Sequence, residues 1–113
     1  MTEWRSDTIR TNGINIHYHR TGGDKPALVL AHGVTDNGLC FTRLARALED
    51  DFDLILVDAR GHGLSDKPES GYGAKAHAAD VAGLIGRLHL DRPGVLGHSM
   101  GAATAAVLGA NWP

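Results

Sequence analysis

Ser99 is the residue whose neighbours in the sequence point most clearly to chemistry. It stands at the centre of Gly97-His98-Ser99-Met100-Gly101, which fits the pattern G-x-S-x-G. In that pattern a sharp turn between a strand and a helix exposes the serine hydroxyl as a nucleophile, and glycines remove side chains that would collide. A serine between glycines is also found in ordinary turns and helix caps. The elements on either side of it decide between these interpretations.

Those elements alternate between apolar runs and helical periodicity. Three continuous apolar runs, typical of strands covered on both faces, occupy residues 27–31, 54–57 and 95–96. Three helices are predicted by the i, i+3, i+4 spacing of apolar residues or by alanine content, within residues 38–50, 81–88 and 102–110. This alternation predicts an α/β fold with a mainly parallel sheet flanked by helices.

An antiparallel hairpin is predicted before these elements. Ile14, Ile16 and Tyr18 alternate with polar residues, and Asn12-Gly13 is a dipeptide that favours a tight hairpin turn. The long Gly- and Pro-rich segment 58–73 follows the second apolar run and is predicted to be a functional loop. Because function in such sheets lies at the carboxyl ends of the strands, the Ser99 turn is in the expected place.

Composition excludes several classes of partner. The chain has 13 acidic and 11 basic residues without a basic cluster, so neither nucleic acid nor an acidic membrane is an expected partner. Cys40 is the only cysteine, which excludes an internal disulfide. Neither a signal sequence nor an apolar run of about 18 residues is present, and no Walker or G-x-G-x-x-G motif follows a strand. We therefore expect one cytoplasmic domain over residues 1–113 that acts on a small molecule.

Three landmarks in order give the chain its resemblance to a known family. They are His32-Gly33, the segment 58–66 that reads DARGHGLSD, and the Ser99 motif. With these landmarks the chain resembles the N-terminal part of the α/β-hydrolase fold family, in its esterase- and lipase-like branch with a serine nucleophile. The resemblance implies that Ser99 is the nucleophile and that the backbone N–H groups of Val34 and Met100 form the oxyanion hole. It implies no cofactor and no metal.

The same resemblance shows what the chain lacks. Family order is serine, acid, then histidine, yet no histidine, aspartate or glutamate follows Ser99. We therefore expect a fragment that is nearly inactive without a C-terminal half, and marginally stable because its last strand would be an open edge. A base supplied from upstream, such as His62, or by a second chain is the alternative. The resemblance assigns Arg60, His62 and Asp66 to bracing the loop near the site.

The other histidines are not expected to take part in the chemistry. His98 is expected to project away from the Ser99 hydroxyl, and His32 is expected to shape its turn through hydrogen bonds. His17 and His19 share one face of a strand at a spacing that could hold a metal. Because no third ligand is near them in the sequence, we expect both to be surface residues without a metal.

The function expected from these observations is hydrolysis of an ester, lactone or similar acyl substrate through an acyl-Ser99 intermediate. Epoxide hydrolases and haloalkane dehalogenases of the family carry an aspartate at this position, so serine disfavours them. Carbon-carbon bond hydrolases, peptidases, acyltransferases and haloperoxidase-like enzymes keep serine and stay open as alternatives. A catalytically inactive fragment or a binding protein is the non-enzymatic alternative, and oligomeric state is left open.

Overall fold

A five-stranded mixed sheet forms the centre of the molecule. The computed structural model describes residues 4–112, so the predicted domain bounds at residues 1 and 113 lie outside the described residues. The strands are β1 (Arg5–Thr11), β2 (Ile14–Arg20), β3 (Ala27–Ala31), β4 (Asp53–Val57) and β5 (Gly94–Gly97). A 3₁₀ turn at Gly38–Phe41 precedes the helices α1 (Thr42–Leu48), α2 (Ala74–Arg87) and α3 (Met100–Asn111).

The order of strands in the sheet is β1-β2-β4-β3-β5. The strands β3, β4 and β5 run parallel, whereas β1 pairs with β2 and β2 with β4 in antiparallel fashion. Asn12 and Gly13 join β1 to β2 with φ values of 52° and 82°, the two positive values that a type I′ hairpin turn requires. The predicted α/β fold with an antiparallel N-terminal hairpin is confirmed.

Both faces of the central strand β4 are covered, as its continuous apolar run predicts, whereas the run in the edge strand β5 is not covered on both faces, since Leu96 is 37% exposed. Every residue of β4 is buried, and alternate residues enter different clusters: Ile55 faces α2 and α3, whereas Leu54 and Leu56 face Phe41 and α1. The carboxyl ends of the parallel strands are level with one another, because Ala31 pairs with Val57 on one side and with Gly97 on the other. The turns that leave these strands are therefore neighbours.

Two helices differ from their predicted extents. The segment predicted as one helix within residues 38–50 starts as a 3₁₀ turn, where the side chain of Asn37 accepts a hydrogen bond from the Leu39 backbone N–H. The helix predicted from residues 81–88 begins at Ala74. The apolar spacing does not indicate its first two turns, because they are rich in alanine and polar residues rather than in large apolar ones. Along residues 4–112 no helix combines the length and the apolar character needed to cross a membrane.

Candidate active site

Ser99 lies on a strained turn between β5 and α3. Its φ is 57° and its ψ is −113°, a backbone conformation that residues other than glycine rarely adopt. Such strain costs on the order of 1–3 kcal/mol and persists only where the surrounding structure holds it in place. The sharp turn predicted from the sequence is present, and the helix begins immediately after it at Met100.

Backbone packing holds this turn against β3. The backbone N–H of His98 donates to the carbonyl oxygen of Ala31 at 3.0 Å. A Cβ atom on Gly97 would overlap the carbonyl of Gly101, and a Cβ atom on Gly101 would overlap the carbonyl of Ala31. Both glycines are therefore required by the close approach of the turn to the strand.

The turn after β3 lies directly beside Ser99. A Cβ atom placed on Gly33 would be 3.5 Å from Ser99 Cβ, 3.6 Å from His98 Nδ1 and 3.5 Å from a carboxylate oxygen of Asp36. Val34 follows Gly33 and its side chain is 61% exposed. Among the described residues no acceptor is found for the backbone N–H of Val34 or of Met100. Both predicted oxyanion-hole donors are thus available, while their role in catalysis stays a prediction.

His32 links the two strand-end loops nearest to Ser99. Its ring is buried, and Nδ1 donates to the carbonyl oxygen of Gly33 at 2.7 Å while Nε2 accepts from the backbone N–H of Ala59 at 3.0 Å. These partners require the neutral form with the proton on Nδ1. Burial lowers the pKa of His32, although its bond to Gly33 acts in the opposite direction. The geometry supports the expected role in shaping the turn.

Arg60 ties the long loop after β4 to helix α2. Its Nε and Nη2 donate to the two carboxylate oxygens of Asp80 at 2.6 and 2.8 Å, and its Nη1 donates to the carbonyl of Gly71 at 2.7 Å. Asn12 in the hairpin turn donates a further bond to Asp80. Both side chains of the ion pair are buried. A bidentate pair of this kind fixes the loop in position and in orientation.

His62 and Asp66 hold other parts of the same loop. Asp66 Oδ2 accepts from the backbone N–H of Asn15 at 2.9 Å. His62 Nδ1 contacts the carbonyl oxygen of Arg60 at 2.9 Å, and Nε2 contacts the carbonyl oxygen of Val34. Because both ring nitrogens of His62 face carbonyl oxygens, neither is free to accept the proton of the Ser99 hydroxyl. This arrangement argues against His62 as an upstream general base.

A cavity of about 20 Å³ lies under the Ser99 turn. Its lining includes His32, His77, Asp80, Met100 and Gly101. The volume corresponds to roughly one water molecule and is far too small for a substrate.

Burial lowers the pKa of His77, which is 3% exposed.

The expectation that His17 and His19 are surface residues is wrong. His17 is buried and His19 is partly buried, and Asp58 supplies the third potential ligand that the sequence did not place near them. One donor atom from each of the three side chains lies within 4.8 Å of the other two. The reason is strand order: β2 pairs with β4, so the end of β4 carries Asp58 to the histidines. No signal in the sequence alone gives this pairing.

Comparison with known proteins places these features in a family context. Residues 26–113 match the family model described as the alpha/beta hydrolase fold. A 2-(acetamidomethylene)succinate hydrolase from Mesorhizobium japonicum is 45% identical over 94 residues, which are 83% of this chain and 34% of that protein. An N-formylmaleamate deformylase from Pseudomonas putida is 42% identical over 86% of this chain and 37% of its own length.

Two further similarities are to a relative with a different named activity and to a solved structure. A soluble epoxide hydrolase from a Corynebacterium species is 37% identical over 92% of this chain and 36% of that protein. The crystal structure of Cfl2 from Burkholderia cenocepacia superposes with a TM-score of 0.92 and 29% identity, covering 97% of this chain and 38% of that one. This chain therefore spans little more than a third of the length of these three relatives.

Proposed function

We propose that this chain, which belongs to the α/β-hydrolase fold family, is the nucleophile-bearing part of a serine hydrolase that cleaves an acyl bond in a small molecule. The observation that carries the proposal is the strained Ser99 turn, with φ of 57°, packed against β3 and beside Gly33. Strain of this kind is retained where exposing one side chain serves a purpose. One relative is named a hydrolase and the other a deformylase, and both names support the reaction class.

The reaction begins with attack of the Ser99 hydroxyl oxygen on the acyl carbon of the substrate. A general base takes the hydroxyl proton, and negative charge develops on the former carbonyl oxygen. The N–H groups of Val34 and Met100, the latter at the positive end of α3, stabilise that charge. The base gives that proton to the leaving group, whose departure leaves an acyl-Ser99 ester. Water, deprotonated by the same base, then attacks the ester and releases the acid and free serine.

The general base is assigned to sequence that this chain does not span. Both ring nitrogens of His62 face carbonyl oxygens, and both ring nitrogens of His32 are used in bridging two loops. The relatives extend well beyond the third of their length that is matched here. We therefore place the histidine and its orienting acid in that remaining part, and losing such a base costs on the order of 10⁶ in turnover.

Among acyl substrates, small amides are favoured over esters and lactones. The names of the two relatives at 45% and 42% identity both describe compounds with an acylated nitrogen. A serine nucleophile and an oxyanion hole serve amides as well as esters, so the elbow is compatible with all three. Carbon-carbon bond hydrolysis and acyl transfer use the same serine and differ in the group that leaves or accepts the acyl unit.

Epoxide hydrolysis is the alternative raised by the Corynebacterium relative. Family members with that activity use a carboxylate to attack carbon, which produces an ester that water then cleaves. A serine at position 99 would leave an ether, and an ether is not hydrolysed in the second step. The side chain at the elbow therefore favours acyl substrates.

Active-site labelling with a fluorophosphonate tests the proposal. The protein used contains this chain together with the rest of its hydrolase domain, and the site of labelling is located by peptide mass spectrometry. We expect labelling at Ser99, its loss in Ser99→Ala, and unchanged labelling in Ser70→Ala, which removes an exposed serine from the loop after β4. No label in the wild-type protein, or label at a different serine, would overturn the proposal.

A further inference from the structure

We propose that His17, His19 and Asp58 form a binding site for a zinc-class divalent cation, independent of the reaction at Ser99. One donor atom from each side chain lies within 4.8 Å of the other two. Within residues 4–112 this is the only group of three or more histidine, cysteine or acidic side chains arranged in this way. The histidines come from alternate positions of β2, so they project from one face of the sheet.

The donor set suits zinc rather than magnesium or calcium. Two imidazoles and one carboxylate are a recurring protein ligand set for Zn²⁺, with a fourth position left to water or another ligand. Magnesium and calcium prefer oxygen donors and bind more of them than Asp58 alone provides. The chemistry of the cluster therefore identifies the class of ion.

Supporting hydrogen bonds around the cluster match those of metal sites. The two ring nitrogens of His17 lie 2.8 Å from Ser6 Oγ and 3.1 Å from Thr8 Oγ1, so a metal must displace one of these hydroxyls, and the other hydroxyl then orients the ring. Asp58 accepts from the backbone N–H groups of Gly38 at 2.7 Å and Leu64 at 3.0 Å. Partners of this kind orient ligating side chains and raise metal affinity.

The charge of Asp58 points to a cation. Asp58 is 3% exposed, and no lysine or arginine among the described residues forms an ion pair with its carboxylate. Buried carboxylates are ordinarily paired with a cation or coordinated to a metal, because desolvation of an isolated charge is costly. The hydrogen-bond donors to Asp58 among the described residues are the backbone N–H groups of Gly38 and Leu64, so one lone pair on each oxygen is left to accept a metal.

His19 is the side chain that completes the site. Tetrahedral zinc with ligand bonds of about 2.0–2.1 Å separates its ligand atoms by about 3.3–3.4 Å, so donor atoms that lie within 4.8 Å of one another must approach by up to about 1.5 Å. His17 and Asp58 are fixed by their hydrogen bonds, whereas no hydrogen bond to either ring nitrogen of His19 is found among residues 4–112. Its ring already meets that of His17 edge-on at a centroid distance of 5.0 Å. Rotation of His19 toward Asp58 would close the site.

A bound cation would connect the hairpin to the loop after β4. Asp58 begins that loop and its carboxylate also holds Gly38 and Leu64, so the ion would join β2 to both segments. We therefore expect zinc to stabilise the fold, because an ion that binds only the folded state raises its stability.

Zinc titration of the tag-free protein against a chromophoric chelator tests the site. We expect one equivalent of Zn²⁺ to bind with a Kd in the micromolar range or tighter. His19→Ala should weaken binding roughly tenfold or more, because it removes one of three ligands. It should leave the fold intact, as judged by circular dichroism, since the His19 ring nitrogens make no hydrogen bond among the described residues.

His89→Asn is the matched control, because His89 is an exposed histidine in the turn after α2. It should bind zinc as the wild-type protein does. His17→Gln provides a second ligand variant and should weaken binding as His19→Ala does. Absence of zinc binding, wild-type affinity in His19→Ala, or equal weakening in His89→Asn would each overturn the proposal. None of these measurements depends on hydrolase activity.

Discussion

Arg60 and Asp80 form a buried ion pair that closes the loop after β4 onto helix α2, with two hydrogen bonds of 2.6 and 2.8 Å. Removing one partner of such a pair leaves an uncompensated buried charge. We expect Asp80→Ala to lower the free energy of unfolding by about 3–5 kcal/mol, measured by urea denaturation. The double variant Arg60→Met with Asp80→Leu should recover most of the loss. If it is no more stable than the single variant, packing rather than charge explains the effect.

Gly101 is required by the approach of α3 to β3. Gly101→Ala should displace the Ser99 turn, abolish fluorophosphonate labelling and lower stability, because the added Cβ would overlap the carbonyl of Ala31. Gly109→Ala in the same helix is the matched control, since a Cβ there meets no atom within 4 Å. It should raise stability by about 0.8–1 kcal/mol through helix propensity alone and leave labelling unchanged. Equal effects of the two substitutions would contradict the packing argument.

The backbone N–H of Val34 is predicted to stabilise the oxyanion. In the active hydrolase, Val34→Pro removes this donor and should lower kcat by about 10²–10³. Val34→Ala keeps the donor, and because the side chain is 61% exposed, it should retain kcat within a small factor. Steady-state kinetics of both variants provide the comparison. Similar losses in both would show that the side chain, not the N–H, matters.

His62 is predicted to position the Val34 turn rather than to act as the base. His62→Ala removes the ring that contacts the carbonyl oxygen of Val34, so turnover should fall by less than the roughly 10²–10³ expected for loss of an oxyanion donor. Loss of a catalytic base would instead cost on the order of 10⁶. The pH profile of kcat should keep its shape in the variant, and a loss near the larger figure would reassign His62 as the base.

Stability should fall as pH decreases, and His77 contributes to the fall. Burial lowers its pKa; Asp80 raises it, whereas Arg60, His62 and His32 lower it. Tyr72 is in ring contact with it. The unfolded chain, in which histidine has a pKa of about 6.5, then binds the proton more readily than the folded protein. The contribution of His77 is therefore fully present above pH 6.5 and is lost as pH decreases through the window below it.

The measurement is urea denaturation at a series of pH values from about 7 to 5. His77→Gln should show a smaller loss of unfolding free energy over this range than the wild-type protein. His89→Gln, at an exposed position, should show the wild-type dependence. A steeper dependence in His77→Gln would contradict the assigned direction of the pKa shift.

Most of the fold could be predicted because its elements carry local signals. The apolar runs identify β3 and β4, and Asn12-Gly13 identifies the hairpin turn. The start of α2 at Ala74 could not be predicted, because small and polar residues in its first turns hide the helical period. Apolar periodicity reports only the large apolar residues that a segment buries, and the first turns of α2 bury His77, Ala78 and Asp80 instead.

The candidate site divides in the same way. The Ser99 turn is predicted by a contiguous sequence motif, and the structure shows the strained backbone that the motif predicts. The meeting of Asp58 with His17 and His19 depends on β2 lying next to β4, which is a property of strand order rather than of any segment. The sequence therefore predicted the histidine pair but not its third member.

The Ser99 turn is held by backbone contacts that involve Gly97, Gly101 and the carbonyl of Ala31. The conformation of the turn therefore does not depend on which side chain stands at position 99. A substitution at position 99 can therefore change the exposed side chain without rebuilding the scaffold. A protein with this scaffold can acquire a different chemistry through one substitution at position 99, followed by changes in the surrounding loops. This chain is similar both to a 2-(acetamidomethylene)succinate hydrolase and to a soluble epoxide hydrolase, as expected if one scaffold serves more than one chemistry.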